Sequence, residues 1–290
     1  MSDSPAALPN RAYLLHITHY DPQWLKRKDT EEPFDPDTAR AVIDALAEAG
    51  MTTLVIDPKD GVEYRSHPEL KRHYTHPMSA LEDICRYAES KGLEIAIKLN
   101  FSQSGLHQHN HWFRPHIIPM DTDDYFARAT QIIDELIEAA KPKRFFHLGG
   151  DEDHWRGYGQ YVSTFSRLRD IVQERGLRAM IWNDSACHWS DAVNHRDKSL
   201  AFEAAGPRDV IHVLWKYDGV DVQALERLRE RGLAFWGAPG REPEQVRELH
   251  DQLLRLGGTG ILLTRWDPCI PANREAMIEQ IRRCGPVCAG

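Results

Sequence analysis

One feature limits the fold of this chain more than any other: eight short runs rich in Ile, Leu and Val, each separated from the next by a longer, charged stretch. The runs are Tyr13–Ile17, Thr52–Ile56, Leu93–Leu99, Arg144–Leu148, Leu177–Trp182, Val210–Trp215, Leu233–Trp236 and Thr259–Leu263. Most do not alternate apolar with polar residues, which is how strands covered on both faces read. Between them, Asp37–Ala49, Met78–Ser90, Thr122–Ala140, Tyr161–Arg175, Asp221–Glu230, Glu242–Leu256 and Asn273–Arg283 carry apolar residues at helical spacing. Gly50, Gly92, Gly176, Gly232 and Gly257 stand at or just past helix ends, where the chain turns left-handed. The stretches KGLEIAI, RGLRAMI and RGLAFW repeat one helix-to-strand junction. Such units close into a (β/α)8 TIM barrel or spread into an open doubly wound sheet. The first strand runs into His16-Ile17-Thr18-His19-Tyr20-Asp21 and not into a glycine-rich dinucleotide turn, so the α/β class with a closed barrel is expected.

The 290 residues suit one barrel domain, its core over about 13–283. Lys and Arg number 36 against 44 Asp and Glu, a net charge of −8 without a basic block, so no nucleic-acid partner is expected. No apolar run approaches the roughly 18 residues of a membrane span. The first residues lack the basic start and apolar stretch of a secretory signal, which makes a cytoplasmic location the expectation. The five cysteines are odd in number and loosely spaced, unlike a disulfide framework.

Barrel enzymes build their sites where strands end. Here the strand ends read His16 and His19; Asp57 and Asp60; Lys98 and Asn100; His147 with Asp151 and Glu152; Trp182 with Asp184; Trp215 and Tyr217; Trp236; and Arg265, Trp266 and Asp267. Long loops follow the second and third strands, and the latter carries His107, His109 and His111. Indole rings beside polar groups suit a sugar, whose apolar faces pack while its hydroxyls take directional hydrogen bonds. The adjacent acids Asp151 and Glu152 are the sharpest signal. Like charges side by side push two acids apart in pKa, leaving one to act as a proton donor near neutrality. Because the run continues with Asp153 and His154, a solvated acidic turn also fits it.

The segment His147-Leu148-Gly149-Gly150-Asp151-Glu152 resembles the His-x-Gly-Gly-Asp-Glu motif of glycoside hydrolase family 20, which contains the β-N-acetylhexosaminidases. The resemblance implies a retaining exo-glycosidase acting on terminal N-acetylhexosamine. Glu152 would be the general acid/base. Asp151 would orient the substrate's 2-acetamido group, whose oxygen attacks the anomeric carbon. His147 is similar to the motif's supporting histidine, and Trp182 with Asp184 to the family's fifth-strand ending. Trp215 is similar to its sixth-strand tryptophan, Trp266-Asp267 to its closing Trp-x-Glu, and Tyr217 to its acetamido-steadying tyrosine. Trp182, Trp215, Trp236 and Trp266 would box the sugar, and Asp184 and Asp267 would take its hydroxyls. The sequence also departs from the family. The usual Asp-x-x-Arg of the first strand reads His16-Ile17-Thr18-His19, with Arg265 a candidate to replace that Arg. Asp57 and Asn100 stand where other residues are usual, and a barrel without the small α/β domain that often precedes it is the expectation. The resemblance implies no cofactor and no metal, a small oligosaccharide or glycoconjugate as partner, and leaves a homodimer open. Three alternatives remain at this level: a glycosidase for sugars without an acetamido group, a metal-dependent barrel enzyme, and an inactive carbohydrate-binding protein.

Overall fold

The computed structural model describes residues 7–18, 30–103, 120–189 and 192–290. His19 and the loop histidines His107, His109 and His111 lie outside them. The strands β1 (Asn10–His16), β2 (Thr53–Asp57), β3 (Glu94–Lys98), β4 (Phe145–His147), β5 (Arg178–Asn183), β6 (Ile211–Trp215), β7 (Ala234–Ala238) and β8 (Gly260–Pro268) form a closed parallel barrel in chain order. After each comes a helix: α1 (Pro36–Glu48), α2 (Met78–Ser90), α3 (Asp123–Ala140), α4 (Tyr158–Gln173), α5 (Val193–Ala205), α6 (Val222–Glu230), α7 (Pro243–Leu256) and α8 (Arg274–Ala289). The expected (β/α)8 class is therefore the observed one.

The strands have apolar residues in succession because each serves two cores. Ala12 and Leu14 of β1 point into the barrel with Val55, Ala96, Met180, Val213 and Leu262. Their neighbours Tyr13 and Leu15 point outward and pack with Leu54, Ile56 and the helices. Local signals set the helix ends. Asp35 accepts from Thr38 N at 2.9 Å to start α1, and Gly257, at φ +84°, ends α7.

Two differences from expectation bear on the site. Trp236 is not a wall of the mouth: it fills the barrel interior, edge-on to Phe145 at 5.2 Å, and donates to Thr259 Oγ1 at 3.1 Å. It lies against the first residue of β8, where a Cβ on Gly260 would come within 2.4 Å of the indole. The second difference is α5, which has no apolar stripe to announce it. Its buried residues are His195, Lys198, Ser199, Phe202 and Glu203, and all but Phe202 are polar.

Candidate active site

The turn after β4 is built for its two acids. Gly149 has φ +73° and lies so close to β3 that an added Cβ would fall 2.2 Å from Asn100 Oδ1. Gly150 has φ +98° and would meet Ile181 at 2.6 Å. Only glycine meets both demands. Asn100 then ties the turn together. Its Oδ1 accepts from Gly150 N at 3.2 Å and from Ser102 N at 3.0 Å, while Nδ2 donates to Asp151 Oδ1 at 2.7 Å. Asn100 thus contacts Asp151 itself, a role the sequence left unspecified.

The two adjacent acids face different surroundings. Asp151 is buried, whereas Glu152 is partly exposed and lines a cleft of about 680 Å³ with Trp189, Trp215, Tyr217 and Asp218. A solvated acidic turn does not describe this segment, because Asp153 is also buried. It accepts from Arg156 Nη1 at 2.6 Å and pairs with Lys198 Nζ at 3.3 Å.

Asp184 is not free to take a sugar hydroxyl. Oδ1 accepts from Trp215 Nε1 at 2.6 Å, and Oδ2 from Glu152 N at 2.7 Å and His195 Nδ1 at 2.9 Å. Burial pushes its carboxyl above the ordinary range, and the bond from His195 opposes that push.

Beneath these groups lies a buried polar floor. Lys98 Nζ donates to Asp57 Oδ2 at 2.7 Å, with His16 Nδ1 3.3 Å from the same oxygen. Burial alone would raise Asp57, but the charges of Lys98 and Lys59 outweigh it and hold the carboxyl well below its usual range. Burial pulls His16 down to about 4 and His147 down to about 3, the latter with help from Lys98. Both rings are therefore neutral at neutral pH. His147 Nδ1 accepts from Gly149 N at 3.0 Å, which leaves the proton on Nε2. Among the described residues, His147 Nε2 and Trp182 Nε1 are buried without a hydrogen-bond partner. Trp182 packs on His147 at 4.7 Å and on Trp266 at 6.1 Å, and Trp266 on His16 at 5.0 Å. Tyr217 stacks on Trp215 at 5.3 Å. Burial pushes its phenol above the ordinary range, and the charge of Asp151 adds to that.

Arg265 and Asp267, of the expected set, pair with each other. Arg265 Nε pairs with Asp267 Oδ2 at 2.6 Å, and both charges act on Tyr13, a β1 residue that faces outward to the helices. Asp267 Oδ2 is therefore matched within its own strand, two residues away, and the side chain is part-exposed. Conversely, sequence reasoning missed Trp189 and His195. Trp189 packs at a tilt against Trp215 at 5.6 Å and against His195 at 5.8 Å. Its signal was an indole in the loop just after the Trp182–Asp184 strand end; His195 gave none. Among the described residues, no group of three or more His, Cys, Asp or Glu side chains is arranged to hold a metal ion.

No protein-family model matches the chain, and no curated protein does. Solved structures do match in fold. A family 20 β-N-acetylhexosaminidase from Streptomyces coelicolor A3(2) superposes with a TM-score of 0.70 at 15% identity, over 98% of this chain and 65% of that one. A mutant Streptomyces plicatus β-hexosaminidase in complex with its product GlcNAc gives 0.69 at 14%, over 98% and 64%. A family 20 exo-β-N-acetylglucosaminidase from Vibrio harveyi gives 0.67 at 13%, over 99% and 55%. The chain thus spans 55–65% of the length of these three proteins. The chain carries the β-hexosaminidase-like (β/α)8 barrel fold of glycoside hydrolase family 20.

Proposed function

We propose that the chain is a retaining exo-glycosidase that removes terminal N-acetylhexosamine from a small oligosaccharide or glycoconjugate by substrate-assisted catalysis. The observation that carries this reading is the division of labour in the β4 turn. Glu152 borders an open, aromatic-walled cleft, while Asp151 is buried and anchored by Asn100. Glu152 protonates the departing glycosidic oxygen and later takes a proton from the incoming water. Two neighbouring residues do not flank a scissile bond as an acid and a nucleophile do. The nucleophile is then the substrate's own acetamido oxygen. Asp151 receives the acetamido N–H and stabilises the positive charge that develops there, with Tyr217 beside it. Trp215, Trp182 and Trp266 supply the apolar faces for the ring. The family's first-strand Asp-x-x-Arg reads His16-Ile17-Thr18-His19 here, and His16 belongs to the buried His16–Asp57–Lys98 cluster.

The test is a panel of aryl N-acetyl-β-glucosaminides, N-acetyl-β-galactosaminides and plain β-glucosides, with and without chelator. The reading expects hydrolysis confined to the acetamido sugars, unaffected by chelator, and a loss in Asp151→Asn seen on those sugars. Equal rates on plain glucosides would refute substrate assistance. They would favour the second reading, a glycosidase for sugars without an acetamido group, which the missing first-strand Arg already makes worth testing.

A further inference from the structure

Asp184 directly follows β5, with both carboxylate oxygens committed to donors from separate elements. These are the Glu152 main chain in the β4 turn, the Trp215 indole at the end of β6, and the His195 ring on α5. Its own N–H donates to Ser199 Oγ, also on α5, at 2.9 Å. The residue it holds in the β4 turn is Glu152, whose φ of +51° lies in the left-handed region that a side chain with a Cβ seldom occupies. Strain of this kind persists only where surrounding bonds over-determine it. Hydrogen bonds from N–H to a buried carboxylate are of the stronger, charge-assisted kind.

From this geometry we infer that Asp184 and His195 form a positioning pair, which fixes the acid Glu152 and the cleft wall Trp215 relative to each other. The inference rests on Glu152 being the general acid. Aspartate suits the task because a carboxylate accepts on both oxygens. An amide at this site would aim its own N–H groups at Trp215 or at Glu152. His195 suits it because a buried carboxylate needs a compensating partner. The groups that face His195 are Asp184 at the end of β5, Asp151 and Glu152 in the β4 turn, and the ring of His154 at 5.2 Å, while Lys198 on its own helix acts on Asp184 and His154. Burial alone would lower the imidazole's pKa. The bond and charge of Asp184, with Glu152 and Asp151 adding, raise it above 6.5 instead.

The experiment measures kcat and KM against pH for the full chain and for Asp184→Asn, His195→Asn and Glu152→Gln. The probe is phenyl N-acetyl-β-glucosaminide, whose leaving group needs a proton. Misplacing the acid costs kcat about 10²-fold in Asp184→Asn, with KM changing far less. His195→Asn keeps an N–H near the Nδ1 position but carries no charge. It shows a smaller loss and an alkaline limb of kcat displaced from that of the wild type. A folded Asp184→Asn within about threefold of wild-type kcat overturns the inference. If Asp184→Asn does not fold, an unchanged pH profile in His195→Asn overturns it. A fully active Glu152→Gln brings down the reading beneath instead, which separates the two failures.

Discussion

Two arcs of the barrel rim carry acids, an indole and a basic group, and they use them differently. At the ends of β4 to β6, Asp184 collects donors from a turn, a strand end and a helix, so one carboxylate holds three elements together. At the end of β8, Arg265 and Asp267 match each other two residues apart. The first arrangement is non-local, buried and joined to the cleft. The second is local and part-exposed. The same residue types beside a strand end therefore do not make a site; what matters is whether their bonds reach across elements.

The largest effect expected from breaking the first arc is at Gly149. Gly149→Ala puts a Cβ against Asn100 and forces a left-handed φ on alanine. The substitution should destabilise the fold by about 3 kcal/mol or more, in the range of severe backbone and packing mutations, and should abolish activity. Thermal unfolding and kcat/KM check it. A variant with wild-type stability and rate would show that Asn100 does not fix the turn.

An intermediate effect comes from the floor under that arc. His16 and His147 are buried and neutral, with folded pKa values of about 4 and about 3 against an ordinary 6.5. Groups lowered on folding take up protons on unfolding once the pH drops below 6.5, so their contribution is full above 6.5 and is lost as pH falls toward 4 and then 3. The loss is at most about 1.4 kcal/mol per pH unit for each ring. Unfolding midpoints measured between pH 7 and 4 should fall steadily. His147→Gln should flatten part of that slope. A flat wild-type curve would contradict the buried neutral pair.

The smallest effect belongs to the β8 arc. Arg265→Gln or Asp267→Asn removes a part-exposed ion pair, worth about 0–1 kcal/mol. Either should change kcat/KM by no more than about threefold. A loss comparable to that of Asp184→Asn would erase the contrast between the arcs and return Arg265 to the role of sugar clamp.

How much of this could be read from residues alone follows the same division. The barrel was legible because its signals are local: doubly buried strands, helical spacing and glycines at helix ends. The β4 turn was legible because six consecutive residues carry it. The hub at Asp184 was not, because its partners Glu152, His195 and Trp215 come from distant segments and meet only in space. α5 escaped detection for a related reason. Its inward face carries the polar residues that support the turn, so it lacks the apolar stripe that marks the other helices. Trp236 misled because it stands at a strand's midpoint in space while appearing at a run's end in sequence; the strand continues to Ala238.

In the proposed reaction Glu152 donates the proton in cleavage of an N-acetylhexosaminide. The most direct test of that role is kcat of Glu152→Gln on an unactivated N-acetyl-β-hexosaminide disaccharide, beside binding of the same sugar followed by thermal shift. The expected result is a fall in kcat of about 10²–10⁴-fold, the usual worth of a general acid, with binding retained. A Glu152→Gln rate within about threefold of wild type would contradict that role.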